Sequence, residues 1–196
     1  MRSVRAAVLV IVLAGLTAGC LSIKSYVDPF LPQVGYGDLL PRRDVRPAVL
    51  TVAFHRNGEP ASLGTSRARD EIRAVFEKSK LFSAVSDKST DDADRFDIVL
   101  DNRGDVGDAM AKGMLTGITF GGAGSRVTDG YVFTVKFQRA GREPLTKVYR
   151  HAIHSTIGDA AAPQGIAPLS ISEAFSKVVE GLVLNLLLDL QKEERL

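Results

Sequence analysis

The chain has 196 residues, 45 % of them hydrophobic, with 25 Lys and Arg against 23 Asp and Glu. That length suits one domain with a sizeable core. The near balance of charge leaves no cationic surplus to displace counterions from nucleic-acid phosphates, and a single cysteine excludes an intrachain disulfide.

At the N-terminus, Arg2 and Arg5 precede an unbroken apolar or small run, Ala6 to Leu16, with no acid before Asp28. The run has the length of a secretory core and falls well short of the ~20 residues that span a bilayer. Thr17-Ala18-Gly19-Cys20 follows, with Leu16 just before it. This resembles a bacterial lipobox in which the usual leucine stands one position early. The resemblance implies cleavage before Cys20, a thioether from its sulfur to diacylglycerol, and acylation of the new amine. Anchoring would then be firm, since each buried CH₂ adds ~0.8 kcal/mol and three chains act together. The alternatives are ordinary signal cleavage beside an incidental cysteine, and a retained signal anchor. Leu21, where an Asp would imply retention in the inner membrane, points to the periplasmic face of the outer membrane. Loss of residues 1–19 removes two arginines and no acid, so the mature balance is 23 against 23.

Residues 20–45 contain Pro29, Pro32 and Pro41, with Gly35 and Gly37 between. They read as a lipidated cysteine followed by an extended tether, reaching at most ~75 Å if fully polyproline-like. Tyr26, Phe30 and Tyr36 argue that part of this arm lies on the domain, which is taken to span 46–196. AVLTVAF, residues 48–54, loads both faces as a central strand does. Asn57-Gly58-Glu59-Pro60 signals a turn. From Ser66 to Lys80, Ala68, Ile72, Val75 and Phe76 share one helical face opposite charged residues. Leu81 to Val85 leads into a short strand, Asp87 to Arg95 reads as a polar loop, and FDIVLD, residues 96–101, as a strand.

Tyr131, Phe133, Val135 and Phe137 alternate with polar residues, the chain turns at 140–144, and Thr146 to Ile157 returns as a long hairpin partner. Ser170 and Glu173 form a capping box at the start of a C-terminal helix. Its LVLNLLLDL stretch, residues 182–190, is apolar around most of its circumference, so it lies deep in the domain or meets a partner or lipid. The order predicts an α+β fold: a small mixed, mainly antiparallel sheet with two helices packed on one face.

Candidate chemistry is sparse. Gly113, Gly117, Gly121, Gly122 and Gly124 lie in the stretch 110–133, whose Thr116, Ile118 and Phe120 alternate. It reads as a glycine-kinked strand or loop, or as an apolar segment that docks on a partner or the membrane face. No Lys-Ser/Thr follows the glycines as a phosphate loop requires, and Arg126 stands where a calcium β-roll needs an acid. His151 and His154, three apart on a strand, face opposite ways and cannot share a zinc ion. His151 falls with Tyr149 and Ile153, and His154 with Ala152 and Thr156. No nucleophile elbow accompanies Ser155 and Asp159, and the aspartates at 91, 92, 94, 97, 101, 105 and 108 fit no calcium loop, reading instead as solvated. No enzyme, metal or cofactor is expected.

The lipobox, YVDPFLPQVGYGDL (26–39), FHRNGEPA (54–61), AKGMLTGITFGGAGSRVTDGYVF (111–133) and HAIHSTIG (151–158) together resemble a group of uncharacterised proteobacterial lipoproteins. The likeness covers most of the chain and implies no activity. The element order is loosely similar to that of the LPS-assembly lipoprotein, and fold does not give function. The expectation is a lipid-anchored, non-enzymatic envelope module that binds an envelope protein or a lipid-like ligand. Met114, Ile118, Phe120, Leu184, Leu187 and Leu188 are its candidate contacts. The alternative is a homo-oligomeric pore- or secretion-associated subunit whose glycine segment pairs between copies.

Overall fold

In the computed structural model, residues 23–104, 125–157, 163 and 165–196 are described. The expected signal peptide, Cys20, and Met114, Ile118 and Phe120 lie outside them. In chain order the elements are β1 (Ile23–Val27), β2 (Ala48–Arg56), β3 (Glu59–Pro60), α1 (Ser62–Ser79), β4 (Val85–Ser86), β5 (Asp94–Gly104), β6 (Ser125–Gln138), β7 (Leu145–Ile157) and α2 (Ile171–Lys192). The strands form one sheet in the order β1-β7-β6-β5-β2-β3, with β4 also on β2. β2 runs parallel to β5 and β4, and the other pairings are antiparallel. This is the expected α+β class.

Period-two alternation decides which side of the sheet carries the helices. In the registered rows, Leu50, Phe96 and Phe137 align, as do Val52, Ile98 and Val135, then Leu100, Phe133 and Tyr149. These side chains meet Ala68, Ile72, Val75 and Phe76 of α1 and the buried stripe of α2 in one core. Phe96 stands at its centre, edge-on to Phe76 at 4.9 Å and tilted on Phe137 at 4.9 Å. Each such ring contributes ~1.5–3 kcal/mol by leaving water.

α1 starts four residues earlier than its apolar pattern suggests. Thr65 Oγ1 accepts from the Phe54 N–H at 3.2 Å and donates to the Ala61 carbonyl at 3.3 Å, tying an otherwise weak first turn to β2. Gly64 lies so close to this strand that an added Cβ would come within 2.3 Å of the Phe54 ring. The Asn57-Gly58 turn takes positive φ at both positions, as a tight hairpin requires. At α2 the expected capping box forms: Ser170 accepts from the Glu173 N–H, and Glu173 accepts from the Ser170 N–H at 2.9 Å.

The tether expectation is corrected. Ile23–Val27 is the edge strand β1, paired along its whole length with Val27↔Ile153 through Ile23↔Ile157. Tyr26, Leu31 and Leu39 are buried. The following arm, residues 28–45, lies across the outer side of α2. There Asn185 Nδ2 donates to the Pro32 carbonyl at 2.9 Å, and Gln191 exchanges two hydrogen bonds with the Leu40 backbone at 3.0 and 2.6 Å. That cover explains why LVLNLLLDL is apolar all round: sheet and α1 take one side, the arm the other. The arm ends in a buried ion pair, Arg42 to Asp94 at 2.8 Å, with Arg42 also donating to the Leu81 carbonyl. Asp94 and Asp101 are therefore buried and paired rather than solvated, the latter with Arg103 at 2.6 Å.

Two substitutions check this packing. Arg42→Ala, which leaves Asp94 buried with only the more distant Arg139 guanidinium, is expected to cost about 3 kcal/mol in chemical denaturation. Gly64→Ala should also destabilise, by ~1–3 kcal/mol, although alanine is the better helix former, because the Phe54 ring must move.

Candidate functional site

The arm does not seal α2 completely. Between the end of β1, residues 29–36, residues 166–169 and the middle of α2 lies a cleft of about 580 Å³. Val27, Leu31, Pro32, Val34, Leu169 and Leu184 give it an apolar lining, and Gly181 leaves a gap in the helix wall. A helix-interior glycine costs ~1 kcal/mol relative to alanine. An added Cβ here would meet His151 at 3.5 Å and Leu31 at 3.6 Å, ordinary contact distances. Close packing therefore does not require the glycine; its consequence is room in the cleft.

His151 stands at the cleft wall on the helix-facing side of β7. Its Nδ1 is buried and has no hydrogen-bond partner among the described residues. Burial, opposed by the Asp28 charge and reinforced by His154, pushes its pKa down to about 4. The imidazole is therefore neutral near pH 7, with Nδ1 enclosed and its Nε2 edge toward Gly181.

The rim is charged. Glu180 receives Lys177 at 2.9 Å and Lys78 at 3.7 Å. Lys78 also sits over the Tyr36 ring, 4.3 Å from its centroid. Burial, then the charge and hydrogen bond of Glu180, raise the Tyr36 pKa well above its usual value. Two ammonium groups against one carboxylate leave the mouth positive, above an apolar floor.

His154 points to the opposite side of the sheet, as the three-residue spacing predicts. Its Nε2 lies 2.8 Å from Asp28 Oδ2, and its Nδ1 lies 3.0 Å from Thr128 Oγ1. A carboxylate only accepts, so Nε2–H donates to Asp28, while Nδ1 shares a hydrogen bond with the Thr128 hydroxyl. Asp28 also accepts from the Phe30 N–H at 2.7 Å. This set joins β1, β7 and β6. It has the connectivity, hydroxyl to imidazole to carboxylate, by which a nucleophile is activated. Neither Asp28 nor Thr128 stood out in the sequence, because 126 and 26 residues separate them from His154. Ser155 instead faces Ser25, 3.1 Å away.

Of the residues expected to meet a partner, Leu187 is fully buried in the core, and Leu188 is half-buried against it. Leu187 therefore presents no free surface in this fold, and Leu188 presents only part of its side chain. Leu184 is buried and reached only through the cleft. Among the described residues, no group of three or more His, Cys, Asp and Glu is placed to hold a metal ion. No described helix is long and apolar enough to cross a membrane.

No known family profile matches the chain, and no curated protein matches it in sequence. Solved structures do show a distant likeness. The dodecamer of a single-substitution PelC variant from Paraburkholderia phytofirmans is 10 % identical, with 85 % of this chain and 96 % of that one covered and a TM-score of 0.33. A minor lipoprotein from Acinetobacter baumannii is 10 % identical, with 76 % and 94 % covered and a TM-score of 0.36. An uncharacterised protein is also 10 % identical, with 79 % and 94 % covered and a TM-score of 0.35.

The buried histidine makes stability depend on pH. An unfolded His titrates near 6.5 and the folded His151 near 4, so between these values only the unfolded chain takes up the proton. Stability should be full above pH 6.5 and fall by up to about 3 kcal/mol as the pH drops to 4. Urea midpoints measured across that range should shift in the parent and shift less in His151→Phe.

Proposed function

We propose that the protein is a lipoprotein anchored through Cys20 at the periplasmic face of the outer membrane, and that its domain is a non-enzymatic binding module. The cleft beside His151 is the single observation that carries the binding role. Its volume lies within the ~300–1,000 Å³ typical of small-ligand sites. Its chemistry is that of an amphiphile's complement. Apolar side chains line the interior, a neutral imidazole edge stands in the wall, and the cationic mouth suits an anionic or strongly polar head. A lipid-like ligand fits this arrangement better than a folded protein surface, which would meet only the rim.

The alternative, a homo-oligomeric pore- or secretion-associated subunit, would not use the described sheet edges. On one side, Ser25 of β1 exchanges hydrogen bonds of 3.0 and 2.8 Å with Leu169, which blocks that edge. On the other, β3 pairs with His55 and Arg56 at one end of β2 and β4 with Ala48 and Val49 at the other, leaving only the middle of that edge. Covered edges discourage strand addition between copies, so assembly would rest on residues 105–124.

Both halves of the proposal are testable. Cys20→Ser should abolish incorporation of labelled fatty acid and release the protein from envelope membranes; unchanged fractionation would overturn the anchor. For the cleft, Gly181→Leu should weaken binding of a fluorescent fatty acid at least tenfold. Gly181→Ala should stay folded and gain up to ~1 kcal/mol in stability. Equal binding by parent and Gly181→Leu would remove the cleft from the function.

A further inference from the structure

The two ends of the sheet differ in chemistry. At one end the arm and the C-terminus bring arginines and acids together: Arg139 reaches Asp44 at 2.6 Å and Asp94 at 3.6 Å. At the other end β2 finishes at Arg56, β5 at Gly104 and β7 at Ile157, while β1 starts at Ile23 and β6 at Ser125. Both helices also begin there. The first turn of α2 at Ile171 meets Phe54, Gly64 and Arg67 around a cleft of about 270 Å³.

Exposed apolar side chains stand at this second end on both helices and on two strands. Four of the eight large ones among the described residues belong to it: Ile23, Leu63, Val127 and Ile171. Leu63 is 96 % exposed on the first turn of α1, and Ile171 is 52 % exposed on the first turn of α2. Nothing in their own helices requires an apolar side chain at these positions. Cations accompany them. Arg56 and Arg67 border the small cleft, and Arg67 lies over the Phe175 ring, 5.0 Å from its centroid. Two helix N-termini add partial positive charge. Of the nearby acids, Glu173 is engaged by the Ser170 cap and Asp101 by Arg103, while Glu59 and Asp129 remain.

Chain length supplies the occupant. Cys20 precedes Ile23 by three residues, a reach of about 10 Å at full extension. With the tether expectation replaced by β1, an acylated Cys20 cannot let the domain hang free of the bilayer. We infer that the end of the domain formed by Ile23, Leu63, Val127 and Ile171 is a membrane-docking surface, seated on phospholipid with its apolar side chains at the acyl boundary and Arg56 and Arg67 on headgroup phosphates. This rests on the proposed acylation of Cys20. It adds an orientation that the anchor alone does not dictate, and it leaves the cleft beside His151 open at the side of the domain.

The test uses the acylated full-length protein in vesicles of phosphatidylethanolamine with a minority of phosphatidylglycerol. Because a lipidated Cys20 has no free thiol, Leu63→Cys, Ile171→Cys, Leu40→Cys and Val148→Cys can each be labelled with one environment-sensitive fluorophore. The inference predicts that labels at 63 and 171 are blue-shifted and quenched several-fold more strongly by nitroxide lipids than labels at 40 and 148. It also predicts that Arg56→Glu with Arg67→Glu weakens this quenching while the acyl chains stay attached. Equal quenching at all four positions, or labels at 63 and 171 that remain in water, would overturn it. Mass spectrometry of the mature N-terminus separates the two proposals. Were Cys20 unmodified, the anchor would fail. The same labels on that chain, with Cys20→Ser, would then decide the surface alone: lipid contact at 63 and 171 supports it, and no vesicle binding overturns it.

Discussion

The pairing of β1 with the far half of β7 is the constraint from which the rest follows. Five residues of antiparallel ladder determine where the N-terminal arm leaves the sheet. The buried Arg42–Asp94 pair determines where it ends. Between those points the arm has little choice but to cross α2, and its Leu31 and Leu39 join the core there. Without that cover, one whole side of a helix rich in Leu would face water, at ~25 cal/mol for each Å² of apolar surface. The Asp28–His154–Thr128 set strengthens the same junction by joining three strands through one imidazole. Such a set is costly to break, because each buried polar group would lose its partner.

The cleft is a consequence of this arrangement. A continuous strand or helix laid against α2 would fill the groove with side chains at regular intervals. Instead Pro29, Pro32 and Gly35 give the arm an irregular path, and Gly181 thins the helix opposite. The space that results has apolar walls from both elements and an imidazole edge from a third, that of His151 on β7. Burial and neutrality reinforce one another at that residue, since a charged ring would lose its hydration without gaining a counter-ion in contact. The same strand pairing leaves two residues between Cys20 and β1, so the cleft and the reach of the proposed anchor follow from one pairing.

How far these features could be read in advance depends on the distance over which each is encoded. The β6–β7 hairpin, the helical stripe of α1, the Ser170–Glu173 box and the opposed faces of His151 and His154 are all properties of residues within a few positions of one another. Each appears where its local pattern places it. The sequence IKSYV carries no comparable pattern: Lys24 and Ser25 are poor strand formers, and the segment becomes a strand only because β7 offers a free edge. Asp94 looks solvated beside its neighbours and is buried with Arg42, which arrives from 52 positions away. Leu187 looks available to a partner in the sequence and is buried in the core of the fold.

The sequence by itself therefore determined the class of the fold, the faces of its long strands and helices, and the charge and apolar pattern from which the anchor is argued. Those depend on side-chain period and on groups adjacent along the chain. Tertiary structure decided that the supposed tether is part of the sheet, that Asp28, Thr128 and His154 meet, and that a cleft remains beside His151. It also decided that Ile23, Leu63, Val127 and Ile171 stand exposed at one end of the domain. These depend on which distant segments exclude water from one another, and no short-range pattern carries that information.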